Sequence, residues 1–161
     1  MTRLDAQASP ITIFVDADAC PVKEEVYRVA ERRAVRVVVV ANRPILVPRA
    51  AFVERAVVEA GADAADDFIA ARAAPGTVTI TADVPLAARC VAAGGEAISP
   101  TGKAFTSANV GLALATRDLM AELRKAGEQT RGPKPFSRKD RSAFLAALDL
   151  AVVRLRRRGF S

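Results

Sequence analysis

Between Val35 and Ala41 the chain reads VRVVVVA, and few runs leave so little choice of fold. A continuous β-branched run is a strand covered on both faces, because a strand with one wet face alternates apolar with polar residues. Such strands belong to parallel sheets, whose neighbours are joined by long crossovers, usually helices. The flanking sequence supplies those parts. ITIFV (Ile11 to Val15) is a second short apolar run, and after Pro21 the segment VKEEVYRVAERRA sets Val22, Val26, Val29 and Ala30 at helical spacing opposite charges.

Further along, NRPILVPR reads as a loop. AFVERAVVEAG fits a short helix or a strand, and a strand around Val53 to Val58 is preferred. DAADDFIAARAAPG reads as a helix with Asp63 near its start and Pro75-Gly76 at its close, TVTIT as a strand, VPLAARCVAAGG as a helix ended by paired glycines, and EAIS as a short strand. The order β-α-β-β-α-β-α-β predicts a three-layer α/β/α fold around a mostly parallel central sheet. SANVGLALATRDLMAELRKAG then reads as a long amphipathic helix, EQTRGPKPFS as a basic loop and RKDRSAFLAALDLAVVRLRRRG as a final amphipathic helix. Residues 1–10 have no apolar period and are expected to be a loose leader. Residues 11–158 are expected to form one domain, a size that supports a single core.

The longest apolar runs fall far short of the roughly 20 residues that cross a bilayer, and no basic-then-apolar leader opens the chain. A cytoplasmic protein with no membrane partner is expected. Cys20 and Cys90 give neither a disulfide framework nor a metal-pair spacing, and read as small buried residues in a reducing compartment. Histidine is absent, which removes the commonest general base, the commonest zinc ligand and every Ser-His or Cys-His arrangement. Chemistry in this chain must run on carboxylates. The formal charge of +6 is uneven: residues 124–158 hold eleven Lys or Arg against three Asp or Glu, and the rest sum to about −2. An acidic front with a basic tail suits a polyanion partner, since phosphates need cations while a metal site needs carboxylates. It also suits a solvated helix face.

In an open α/β sheet, sites form outside the carboxyl ends of the strands. Asp16 and Asp18 follow the first strand and Asp83 follows TVTIT. Residues two apart on an extended chain point the same way, so Asp16 and Asp18 can share a face. In DAADD, Asp63, Asp66 and Asp67 lie on one side of the expected helix. Carboxylates gathered from separate segments repel unless a cation lies between them, and hard oxygen ligands select Mg²⁺ or Mn²⁺. Asp18, Asp63 and Asp83 are equally good helix caps. Asp16, at the end of a buried strand, is not explained by capping. GEAISPTGKA departs from a phosphate loop, with Ala104 in the Ser/Thr position. Around Cys20 there is no arginine six residues on, and the acidic pair that a haloacid-dehalogenase phosphatase requires after GKAF is missing.

With VDADACPVK, DAADDFI, TADVPLA and GPKPFSRKDRSAF in this order, the chain from Ile11 to about Leu155 resembles the YaiI/YqxD family of uncharacterised bacterial proteins. That family looks related to PIN-like nucleases, whose α/β/α sheets collect acids at strand ends around Mg²⁺ or Mn²⁺. The resemblance implies a PIN-like fold, with Asp16 as the first ligand, Asp83 as a later one, and Asp66 or Asp67 standing in for the acid of the PIN helix. Thr81, Asp83 and Leu86 match the T-x-D-x-x-L pattern. PIN nucleases commonly carry a further acid a few residues on, and none occurs here before Glu96, so Asp18 is the candidate to fill that gap.

The expected activity is metal-dependent hydrolysis of RNA or another nucleic acid. Asp16, Asp18 and Asp83 are the candidate catalytic residues, and these with Asp66 and Asp67 the candidate metal ligands. Lys23, Arg117, Lys134, Arg138, Lys139 and Arg141 are the candidate phosphate contacts. With one tyrosine and no tryptophan, stacking on bases is thinly supplied. Two alternatives remain: a non-catalytic nucleic-acid or ribonucleoprotein binding module on a degenerate nuclease fold, and a metal-dependent phosphatase of small substrates.

Overall fold

In the computed structural model, which describes residues 10–18, 20–61, 63–127 and 135–161, the valine run is an inner strand of a six-stranded sheet. The elements in chain order are β1 (Thr12–Asp16), α1 (Lys23–Arg33), β2 (Arg36–Ala41), β3 (Val53–Val57), α2 (Ala64–Arg72), β4 (Thr77–Ile80), α3 (Val84–Ala92), β5 (Glu96–Ile98), β6 (Ala104–Phe105), α4 (Val110–Lys125) and α5 (Arg138–Arg157). Across the sheet the order is β3-β2-β1-β4-β5-β6, parallel throughout except for β6, which runs against β5. Residues 1–9 of the expected leader and 128–134 of the basic loop, Lys134 among them, lie outside the described residues.

Alternation along the strands divides the interior in two. Ile13, Val15, Val37, Val39, Val78 and Ile80 pack on one face with Val22, Val26 and Val29 of the α1 region and Phe144, Leu148 and Val152 of α5. Phe14, Val38, Val40 and Ala97 pack on the other with Ala65 and Ile69 of α2 and Leu86, Ala87 and Cys90 of α3. A strand whose neighbours are buried in both directions has no polar alternation to show, which is why the valine run is unbroken. The architecture is thus the three-layer α/β/α arrangement that the order of elements predicts.

The ambiguous segment after the second strand is β3, an exposed edge strand, in agreement with the preferred reading. The sequence reading has no counterpart of β6, because two residues carry no detectable period. Helix α4 lies where the amphipathic pattern puts it and packs beside α3, yet none of its residues is buried.

Helix α5 is fixed to the rest of the molecule by charges as well as by its core face. Ser137 and Asp140 form a reciprocal capping box at its start, with bonds of 3.2 and 3.0 Å. Arg33 makes two bonds of 2.8 Å to Asp149, joined by Arg32 at 3.3 Å, while Arg154 reaches Glu96 at 2.8 Å. Near the amino end, Arg141 donates to the Pro21 carbonyl at 2.8 Å and to Glu25 at 3.2 Å. These bonds bring the start of α5 to the start of α1, at the carboxyl edge of β1. Among the described residues, no helix is long and apolar enough to cross a membrane.

Candidate active site

The strand order places a topological switch point between β1 and β4, since the chain leaves β1 toward β2 on one side and β4 toward β5 on the other. Crossovers that diverge leave a crevice at the carboxyl edge. There a cleft of about 310 Å³ is lined by Asp16, Asp18, Asp66 and Asp83, with Thr81, Asn42 and Cys20 beside them. Asp16 ends β1, Asp18 follows it in the turn, Asp66 projects from the first turn of α2, and Asp83 stands between β4 and α3.

Thr81 joins two of these acids. Its side chain, in a residue only 2% exposed, donates to Asp16 Oδ2 at 2.8 Å and accepts from the Asp83 N–H at 3.0 Å. Asp83 Oδ1 in turn accepts from the Leu86 N–H at 3.0 Å, so Asp83 caps α3 while facing the cleft. Capping explains less elsewhere. The residue before α1 is Val22, and no side chain caps that helix, so Asp18 is not its cap. Asp63 stands at the cap position of α2 without a side-chain bond to it.

The acids crowd one another. Burial raises the Asp66 carboxyl from its ordinary 3.8 to about 6, helped by the charges of Asp83, Asp16 and Asp63 and by a hydrogen bond shared with Asp83. Asp16 is also raised, first by burial and then by Asp18 and Asp83, against the lowering effect of the Thr81 bond. In kind, these ligands fit a hard divalent cation: hard oxygens whose mutual repulsion a cation would relieve. In position they are not preassembled, because among the described residues no three acidic or thiol side chains already group closely enough to hold a metal ion.

Of the two candidates on α2, Asp66 lines the cleft, while Asp67 sits outside it, paired with Arg89 at 2.8 Å. Burial raises the Cys20 thiol, the reverse of what a nucleophile needs. Among the candidate phosphate contacts, Lys23 lies at the rim, donating to the Cys20 carbonyl at 3.0 Å. Arg138 and Lys139 are exposed at the start of α5, and Arg141 is committed to Pro21 and Glu25. Arg117 is away on α4, beside Asp118 at 3.4 Å. Sequence reasoning missed Asn42. The signal was available, since Asn42 directly follows β2 at the same edge where Asp16 follows the interior of β1.

Relatives of this chain span it almost completely. A UPF0178 protein of Azorhizobium caulinodans is 60% identical over 158 residues, 98% of this chain and 99% of its own. One of Brucella ovis is 56% identical over 98% of each chain, and one of Rhodopseudomonas palustris 55% identical over 94% of this chain and 93% of its own. No solved structure matches. Residues 14–154 match the family described as "Uncharacterized BCR, YaiI/YqxD family", a span that runs from β1 through the cleft acids to α5, and the chain belongs to that family.

Proposed function

We propose that the protein is a metal-dependent phosphodiesterase acting on RNA or another nucleic acid, with a PIN-like arrangement of acids. The observation that carries this reading is the arrival of Asp16 and Asp18, Asp66, and Asp83, from three separate segments of the chain, in one cleft at the switch point of the sheet. Asp16, Asp66, Asp83 and Asp18 are the residues that would hold Mg²⁺ or Mn²⁺. When bound, the cation would supply an activated water and neutralise charge on the phosphorus oxygens. The chain does the rest. Thr81 holds Asp16 in position and Asp83 is held by its cap bond, while Asp66 reaches the same cleft from α2. Lys23, Arg138 and Lys139 lie on the rim side formed by the starts of α1 and α5, where they would meet the phosphate backbone.

A second reading is a binding module without turnover, supported by the exposed Arg138 and Lys139 at the start of α5. One experiment separates the two. Single- and double-stranded RNA and DNA are incubated with the protein in Mn²⁺ and in chelator, alongside Asp16→Asn. The expected result is Mn²⁺-dependent cleavage that Asp16→Asn abolishes while RNA affinity persists. Absence of Mn²⁺-dependent cleavage, with RNA binding retained, would establish the binding module instead.

A further inference from the structure

Helix α2 borders a second cleft at its other end. The helix stops at Arg72, leaving the sheet uncovered near the amino ends of β1, β2 and β4. The opening is about 480 Å³, larger than the acidic cleft. Two registered rows form its floor: Thr77, Thr12 and Arg36 across one, Phe14, Val38 and Glu54 across the next. Phe68 and Arg72 make the wall, the guanidinium lying 3.5 Å from the ring centroid and donating to the Phe68 carbonyl at 2.9 Å.

Three features define what this cleft can hold. Thr12 is only 8% exposed, yet its hydroxyl has no partner among the described residues, although on β1 it shares a face with Phe14 and lines the opening. In the cleft that hydroxyl is left to water or to a ligand, and a ligand that bonds it gains the net worth of one neutral hydrogen bond. Arg36 and Glu54 form an ion pair at the mouth, both side chains about half exposed, so donors and acceptors stand side by side. Phe14 and Val38 are apolar, and the Arg72–Phe68 pair offers a flat cationic surface. A phosphate is a poor match, because Glu54 would face it and offsets Arg36. A neutral planar ring carrying adjacent donors and acceptors satisfies every wall.

We propose that this cleft binds a nucleobase, its ring against Arg72 and Phe68 and its polar edge read by Thr12, Arg36 and Glu54. The site requires no turnover in the acidic cleft, and its test is run in chelator, so the two readings stand or fall separately. The full chain, labelled with ¹⁵N, is titrated with adenosine, guanosine, cytidine and uridine, and with ribose and inorganic phosphate as controls. At least one nucleoside should give saturable shifts at the amides of Thr12, Val38, Phe68 and Arg72, with ribose and phosphate giving none. Thr12→Val should weaken that nucleoside about fivefold, the loss of one neutral hydrogen bond, and Thr12→Ser should restore it. Arg72→Ala should weaken it about tenfold through lost stacking. No saturable shift with any nucleoside overturns the proposal, as do equal shifts with phosphate alone or unchanged affinity in Thr12→Val.

Discussion

Replacing Asp66 by Asn should make the metal-free protein more stable while removing the Mn²⁺-dependent cleavage proposed above. In the folded chain the Asp66 carboxyl titrates at about 6, against 3.8 when free of its surroundings. Between those values the native state holds a proton that the unfolded chain has released, so the contribution of Asp66 to stability is most favourable below pH 4 and falls as the pH rises toward 6. The whole difference corresponds to about 3 kcal/mol at 1.36 kcal/mol per pH unit, and solvent screening at a partly exposed carboxylate reduces it to about 1–2 kcal/mol. Asn cannot ionise, and its amide can still donate to Asp83, the partner that now shares a hydrogen bond with Asp66. Urea unfolding in chelator at pH 4, 5, 6 and 7.5 should therefore give a flatter profile for Asp66→Asn, with a gain of about 1–2 kcal/mol at pH 7.5. Added Mn²⁺ should raise the wild type and not the variant. A variant no more stable than wild type at pH 7.5, with an unchanged slope, would refute the view that burial and charge crowding of Asp66 strain the fold.

Thr81→Val removes the donor to Asp16 and the acceptor of the Asp83 N–H; it should cost about 1–3 kcal/mol and push the Asp16 carboxyl higher still, which NMR titration of that carboxyl reads. Gly102→Ala meets a backbone at φ +90 whose added Cβ would lie 2.7 Å from the Ala143 carbonyl group of α5. Strain and overlap together should destabilise by about 2–4 kcal/mol in urea unfolding, and a loss well below that range would mean that the loop and α5 separate easily. Arg33 holds the Asp149 carboxyl below its ordinary value, so its stabilisation is present above pH 4 and disappears as the pH falls through the native value. Asp149→Asn should lose about 1–2 kcal/mol at pH 7 and show less acid sensitivity in thermal melts. Arg138 and Lys139 changed together to Ala should weaken RNA binding and reduce the slope of log affinity against log salt by about 1–2.

Where a residue's environment follows from its own neighbours in sequence, the reading from sequence succeeds. The valine run signals a strand buried on both faces, and β1 with α1 follows from ITIFV and the spacing of Val22, Val26 and Val29. Asp16 and Asp83 are recognisable as strand-end acids from their local context alone. That β1 and β4 are neighbours is not, because pairing depends on which crossover goes left and which goes right. Nor can the sequence separate Asp66 from Asp67: both follow the same turn, and only the position of Arg89 on α3 draws Asp67 away. Arg141 illustrates the opposite error. A basic run suggests solvent and phosphate, whereas folding brings Pro21 and Glu25, 120 and 116 residues away, against its guanidinium.

The distribution of ion pairs bears on why the cleft acids are there at all. Outside the cleft, the acids that lose solvent are provided for: Glu25 by Arg141, Glu96 by Arg154, Asp149 by Arg32 and Arg33, and Asp140 by its capping box. The chain has cations to spare, with a formal charge of +6. Yet among the described residues no arginine or lysine pairs with Asp16, Asp66 or Asp83, although all three are partly buried and two have carboxyls raised first by burial and then by the neighbouring acids. Asp16 and Asp83 accept bonds from Thr81 and from the Leu86 N–H, as Asp140 does in its capping box, but the cleft acids lack the cation that Glu25, Glu96 and Asp149 each have, and a partly buried charge without one lowers stability. Three such acids in one crevice without an internal cation are what the metal site proposed above requires. Under that proposal a divalent cation would remove the repulsion and leave the crevice open to a phosphodiester.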